Sequence, residues 1–251
     1  MRDERASRVT TITNFAGHLK IQVDCSKSMG ASLYWTGFHE FKEMRFLNSY
    51  LRDDMNFVDV GANLGEFSLF TSRRLKNGKV YAFEPLSGFF DQLTHNVSLN
   101  AIRNIECFKL GLSDHSARLP IYFDVNNEEK HEGLATLFSA TEQEPTEWIS
   151  IDTLDEVAMR EGIEKIDFIK IDVEGSEWAV LKGSEKILRT FRPALMIELN
   201  DATARRAGYD VNDMIAWLKA FGYEPYLISR RDVKPLKNRP AFCNAIFLAS
   251  N

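Results

Sequence analysis

The side chains with the most chemical reach in this sequence are carboxylates, and they stand where apolar runs end. Asp59 interrupts Asn56-Phe57-Val58-Asp59-Val60 just before the turn Gly61-Ala62-Asn63-Leu64-Gly65. Glu84 closes Lys79-Val80-Tyr81-Ala82-Phe83 and precedes Pro85. Asp172 and Glu174 follow the run from Ile166, and Glu198 lies near the end of the run from Pro193. An ionised carboxylate accepts hydrogen bonds at about four lone-pair sites. It also attracts cations and can take a proton from a nucleophile. Acids at the ends of successive strands therefore suit two tasks, holding hydroxyls or positive charge and deprotonating an acceptor.

Such acids need a frame. Asn56 to Val60 reads as a buried strand, and the two glycines four apart as a tight turn. Leu64, Phe67, Thr71 and Leu75 then share one face of a helix. A helix opening at a strand's carboxyl end points free backbone N–H groups above the sheet, where open α/β sheets bind ligands. Glu84 follows Gly65 at close to the roughly 20-residue offset of a ribose-binding acid. Yet the turn is Asp-x-Gly-x-Asn-x-Gly and not G-x-G-x-x-G. A carboxylate at Asp59 repels a pyrophosphate and suits a ligand with ammonium and sulfonium charge. S-adenosylmethionine is such a ligand. The strand from Ile166 to Asp172 should be apolar on both faces if it is central and parallel. Instead Lys170, Asp172 and Glu174 alternate onto one side, so they are expected to pair or to meet a ligand.

The ordered segments carry a resemblance. Val58-Asp59-Val60-Gly61-Ala62-Asn63-Leu64-Gly65, Phe83-Glu84-Pro85, Ile171-Asp172-Val173-Glu174-Gly175-Ser176-Glu177 and Val180-Leu181-Lys182-Gly183 resemble the FkbM family of S-adenosylmethionine-dependent methyltransferases. Gly37-Phe38-His39-Glu40 and Ile197-Glu198-Leu199-Asn200 also match family positions. The resemblance implies an α/β, Rossmann-like class I methyltransferase with a seven-stranded, mostly parallel sheet and helices on both faces. It implies that Gly61, Ala62 and Asn63 contact the methionine moiety and that Gly65 permits close approach at the helix start. Glu84 would hold the ribose, with Pro85 near the adenine edge. Leu112 would pack on the adenine, and Ser113 or Asp114 would bond its exocyclic amine. Asp59 and Asp172 complete the cofactor set. Asp172 and Glu174 are expected near the methyl-transfer point, with His39 as a candidate base. The alternative for His39 is a helix residue facing solvent, and for Asp172 and Glu174 an ion-pair network with Lys170.

The remaining chain fits this plan. With 251 residues, 44% of them hydrophobic, it is long enough for one α/β domain with additions. Residues 1–54 read as an extension of a hairpin around Asn14-Phe15-Ala16-Gly17 and a helix within Gly30 to Asp54. Residues 55–251 form the methyltransferase domain. A β-hairpin or lid is inserted at about 115–150, with Leu119 to Phe123 and Ala135 to Phe138 as strands around a polar loop. Arg230 to Arg239 reads as a solvated basic loop.

The net charge of −5 argues against a nucleic-acid surface, which normally shows a basic stripe. Cys25, Cys107 and Cys243 have no metal-ligand or disulfide spacing. No secretory or membrane-spanning run is present, which points to a cytoplasmic protein. The spacing of the acids demands no metal, although two neighbouring acids can hold a divalent cation. The expected reaction is O-methylation of a sugar or natural-product hydroxyl, on a small-molecule or glycan acceptor. The alternatives are N-methylation, a non-catalytic S-adenosylmethionine-binding protein, and a nicotinamide-dependent oxidoreductase. The first would usually carry an Asn/Asp-Pro-Pro-Tyr-like turn, where this chain has Asp172-Val173-Glu174-Gly175. The missing third glycine and Asp59 speak against the last.

Overall fold

The computed structural model describes residues 8–123, 135–136, 144–229 and 232–250. The chain begins with a hairpin of β1 (Val9–Phe15) and β2 (Leu19–Asp24), followed by α1 (Ser28–Thr36) and α2 (Phe41–Tyr50). The core then alternates. It runs through β3 (Phe57–Val60), α3 (Glu66–Ser72), β4 (Val80–Phe83), α4 (Ser87–Ser98) and β5 (Ile105–Phe108). Next come β6 (Gly111–Leu112), β7 (Ala117–Phe123), β8 (Ala135–Thr136), β9 (Glu147–Asp152) and α5 (Leu154–Glu161). The alternation resumes with β10 (Phe168–Ile171), α6 (Glu177–Lys182), α7 (Glu185–Thr190), β11 (Ala194–Asn200), α8 (Asp201–Arg206) and α9 (Val211–Ala220). It ends with β12 (Tyr223–Ile228), β13 (Val233–Pro235) and β14 (Phe242–Ala249).

Eight strands form the main sheet, in the order β13-β12-β14-β11-β10-β3-β4-β5. The five from β11 to β5 are parallel, and β14 runs antiparallel to both β11 and β12. The eighth strand, against an expectation of seven, is β13. Its three residues pair with β12 inside the stretch read as a basic loop. Strand order reverses between β3 and β10: the chain steps outward through β4 and β5, then returns to lay β10 on the other side of β3. That reversal opens a crevice above the carboxyl ends of these strands.

The two faces of the sheet bury different residues. Val58, Val60, Ile169, Ile171 and Leu195 pack under α5, α6, α7 and α9 through Val157, Val180, Leu188 and Leu218. Phe57, Phe168 and Met196 pack under α2, α3 and the hairpin through Leu47, Leu69, Phe15 and Ile21. Every residue of β3 and β10 is buried, as burial on both faces requires. The hairpin is fastened to α4 by side-chain amides. Asn96 accepts from Gln22 N–H at 2.7 Å, and Asn100 accepts from Lys20 N–H at 2.6 Å.

The expected single helix within Gly30 to Asp54 is two. Gly37 adopts φ 85, caps α1 in the left-handed region and leaves His39 and Glu40 on the link to α2. The insertion is a second sheet, ordered β6-β9-β7-β8. The polar loop at 126–133, with His131, lies outside the described residues. So do Arg230 and Arg231. Arg239 is not solvated: its side chain is 12% exposed and pairs with Asp201 at 2.5 Å.

Candidate active site

A cavity of about 300 Å³ occupies the crevice above β3, β4, β10 and β11. Gly61, Ala62, Asn63, Glu84, Pro85, Leu112, Ser113, Asp172, Glu174 and His39 all line it. Asp59, Gly65 and Asp114 are not among the lining residues, and each has a physical reason to be elsewhere.

Asp59 is fully buried beneath the cavity floor. Its Oδ2 accepts from the Ser68 hydroxyl at 2.6 Å, and its Oδ1 lies 3.9 Å from Lys170 Nζ. Strand register sets this pair, since Asp59 stands opposite Lys170 across β3 and β10. The carboxylate therefore meets a cation, but the cation belongs to the protein. Gly65 holds φ 92 at the start of α3, and a Cβ there would lie 2.7 Å from Leu93 Cδ1. Its close approach is to α4. Asp114 turns outward to Lys182 at 2.6 Å and His115 at 2.8 Å, and these partners hold its carboxyl down at about 2.

The turn itself departs from the picture of free N–H groups. Gly61 and Ala62 N–H both donate to Phe83 O at 3.0 Å. Asn63 N–H donates to Glu84 Oε2 at 2.9 Å, Leu64 N–H to Asn63 Oδ1 at 2.8 Å, and Gly65 N–H to Ala62 O at 2.8 Å. The turn's own donors are consumed within the fold. Glu84 also accepts from Leu86 N–H through Oε1 at 3.0 Å. Each of its oxygens keeps a lone pair for a ligand hydroxyl. Gly61 is required by packing as well as by its φ of 78: a Cβ would sit 2.0 Å from Asp172 O.

One half of the cavity is apolar. Leu86, Phe89, Leu112, Leu119, Ile121, Ile149 and Ile151 form a wall from α4 and the inserted sheet. The other half is acidic. Glu40, Glu66, Asp172, Glu174 and Glu198 face it, and among the described residues Lys170 is the one lysine or arginine that lines it. Lys170 Nζ is 3.2 Å from Asp172 Oδ2, 3.4 Å from Gly61 O and 4.7 Å from the centre of the Phe67 ring. Burial disfavours its charge, but Asp172, Asp59 and Glu40 outweigh that and raise its pKa. Burial, first, lifts the acids: Glu40 and Glu174 to about 7, Glu66 to about 8, Glu84 to about 7 and Glu198 to about 9. For Glu198 the charges of Asp172 and Glu174 add to the shift.

The loop after β10 is held by a buried carboxylate. Glu177 Oε1 accepts from Val173 N–H at 3.2 Å and Gly175 N–H at 2.9 Å, and Oε2 from the Tyr209 hydroxyl at 2.7 Å. This bracket keeps Glu174 at φ 53, in the left-handed region that a non-glycine residue rarely adopts. Oxygens of Asp172, Glu174 and Glu198 lie within 4.8 Å of one another. Spacing alone did not demand that grouping, because Glu198 arrives from the next strand.

His39 is exposed at the cavity, and its backbone N–H donates to Glu66 Oε1 at 2.9 Å. Glu66 went unread as a site residue because an acid in the first turn of a helix is ordinarily explained by the helix dipole. Its 1% exposure distinguishes it. Glu40 accepts from Asn244 Nδ2 at 3.0 Å, a bond between the link before α2 and β14 that no local pattern announces.

The arrangement can hold a nucleoside against the apolar wall, its hydroxyls on Glu84, with its positive end towards the acids. The chain is similar to known methyltransferases. Methyltransferase sdnD of Sordaria araneosa is 28% identical over 196 residues, covering 64% of this chain and 76% of its own. The hexuronic acid methyltransferase AglP of Haloferax volcanii is 28% identical over 176 residues, 68% and 64% of the two chains. Solved structures share the fold. Methyltransferase FkbM from Methylobacillus flagellatus KT matches with a TM-score of 0.54 and 17% identity, over 84% of this chain and about half (48%) of its own. M. jannaschii TYW2 in complex with AdoMet matches at 0.51 and 13%, over 98% and 88%. The family model of the methyltransferase FkbM domain matches residues 59–225, from the buried acid of β3 into β12. The chain belongs to this family of S-adenosylmethionine-dependent methyltransferases.

Proposed function

We propose that this methyltransferase transfers its methyl group to a hydroxyl of a sugar or natural-product acceptor. S-adenosylmethionine supplies a methyl on a sulfonium, so the leaving group is neutral and the protein mainly has to align the partners. Glu84 would hold the ribose hydroxyls, with Pro85 and Leu112 at the adenine and Ser113 near its edge. Gly61, Ala62 and Asn63 would frame the methionine end through their carbonyls and side chains, since their N–H groups are engaged. The acceptor oxygen gives a lone pair to the methyl carbon, the carbon–sulfur pair returns to sulfur, and the hydroxyl proton passes to a neighbouring base. Asp172 and Glu174 stand at the strand ends for that proton, with His39 at the mouth. Glu174 and Glu40, both raised to about 7, are matched to proton transfer near neutral pH.

The observation that carries this reading is the consumption of every N–H from Gly61 to Gly65 beside an acid-lined floor. It favours a phosphate-free, positively charged nucleoside over a dinucleotide. The substrate named for the Haloferax relative, a hexuronic acid, supports a sugar acceptor here. An acidic cavity also disfavours a nucleic-acid substrate.

Calorimetry tests the cofactor half. S-adenosylhomocysteine is expected to bind in the micromolar range, and NADH not to bind. Glu84→Ala should weaken S-adenosylhomocysteine by roughly 1.5–3 kcal/mol per charged hydrogen bond lost. Equal affinity in that variant would remove Glu84 from the ribose. A mass-shift screen over glycans and polyketides tests the acceptor half. A gain of one methyl on nitrogen, with none on oxygen, would overturn O-methylation.

A further inference from the structure

We infer that Asp172, Glu174 and Glu198 form a binding site for a hard divalent cation such as Mg²⁺, Mn²⁺ or Ca²⁺. Two observations meet here. One oxygen from each residue lies within 4.8 Å of the others, and two oxygens on opposite sides of a Ca²⁺ ion stand about 4.6–5.2 Å apart, or about 4.0–4.2 Å for Mg²⁺. Small side-chain adjustments close the set around either ion. Independently, Glu198 is only 9% exposed, and its Oε2 is buried with no hydrogen-bond partner among the described residues. A carboxylate oxygen removed from water without a partner is costly. The carboxyl stands beside two further acids whose charges act on it, which makes the arrangement worse for the empty protein and better for a dication.

The cations nearby do not fill this role. Lys170 is committed to Oδ2 of Asp172 and to Gly61 O on the β3 side. Arg206 reaches Glu174 through its field alone, with no ion pair between them among the described residues. Glu40 and Glu177 add further negative charge. The donor set is all oxygen, which excludes the softer metals' preferred ligands and matches Mg²⁺, Mn²⁺ and Ca²⁺. Three protein ligands leave positions open for water or for the acceptor.

The consequence for substrate rests on the O-methylation reading. A hydroxyl that coordinates the ion is acidified, and an acceptor with a second oxygen beside that hydroxyl, a vicinal diol or 2-hydroxy acid, can chelate it. The ion would also offset the repulsion that this acidic floor otherwise exerts on an acceptor carrying its own carboxylate.

Full-length protein stripped with EDTA and dialysed is titrated with Mn²⁺, following loss of the free-ion EPR signal. One Mn²⁺ per chain is expected, displaced by excess Mg²⁺ or Ca²⁺. Glu198→Gln and Glu174→Gln should each weaken binding by at least about tenfold, the lower end of what loss of even an outer-shell partner costs. Calorimetry on the EDTA-stripped wild type should still show S-adenosylhomocysteine binding, with and without Mn²⁺. No saturable Mn²⁺ binding, or one-to-one binding that survives both substitutions, overturns the site. Either result, with S-adenosylhomocysteine still bound, leaves the methyltransferase reading standing. Loss of S-adenosylhomocysteine binding in the wild type would instead strike that reading.

Discussion

Gly61 and Gly37 share a left-handed backbone and differ in what surrounds them. At Gly61 a Cβ would lie 2.0 Å from Asp172 O, so the turn and the end of β10 would have to separate. At Gly37 a Cβ meets nothing within 4 Å. Gly61→Ala is expected to cost about 3 kcal/mol or more and to abolish S-adenosylhomocysteine binding. Gly37→Ala should cost only about 1–2 kcal/mol, the penalty of its φ. Urea titration of both variants checks the contrast, and equal costs would refute the packing argument. Glycine spacing, Glu84, Asp172 and Glu174 were legible because a strand, a tight turn and an acid at a fixed offset leave a local trace. Asp59 was read as facing the ligand's positive charge, and its actual partner, Lys170 from across the sheet, leaves no local trace. Asp114 could not be separated from Ser113, because a one-residue difference in direction depends on Lys182, far along the chain.

Among the elements, the segment from Asp172 to Glu177 is the most constrained. Glu177 clamps Val173 and Gly175 and thereby aims Asp172 and Glu174. Glu177→Ala would leave buried N–H groups unpaired, at an expected cost of about 2–4 kcal/mol. Turnover should fall further than cofactor affinity, because Glu84 and the apolar wall are untouched. Steady-state kinetics alongside calorimetry would show the split, and parallel losses would deny the clamp its aiming role. The cap at Thr153 was readable, and half of the expected capping box forms: the Thr153 hydroxyl accepts from Glu156 N–H at 3.1 Å, while Thr153 N–H donates to Asp152 Oδ1 at 2.8 Å. The break of the amino-terminal helix at Gly37 was not, since aromatic residues recur at helical spacing on both sides of it. That break delivers Glu40 to the cavity. Similarly, β13 is too short to leave a periodic signature.

For the molecule entire, the acids of one cavity set a pH dependence. Glu40, Glu66, Glu84, Glu174 and Glu198 are raised to between about 7 and about 9. The native state therefore retains protons that the unfolded chain has released. The stability this confers is present near pH 4.5 and is lost as pH rises through about 7–9. Denaturant titrations should show ΔG falling from about pH 5 to about pH 9. Glu198→Gln should match wild type near pH 5 and exceed it near pH 9 by about 1–2 kcal/mol, or roughly 2–8 °C in Tm. A flat wild-type profile would contradict the shared burial of these groups. Saturating Mn²⁺ should lift the alkaline limb, because the ion competes with protons for the same oxygens.

Strand β14 has one more consequence. It lies between β11 and β12, contributes Phe242 to the cavity and donates Asn244 to Glu40 near the other end of the chain. During synthesis on the ribosome, every residue proposed to hold the nucleoside emerges before the strand that joins the sheet's two halves. Until Phe242 to Ala249 are translated, β11 and β12 carry bare edges and the pocket lacks one rim. Ligand capture by a nascent chain thus requires β14 to be in place, and the ligand, once bound, guards that strand against proteases.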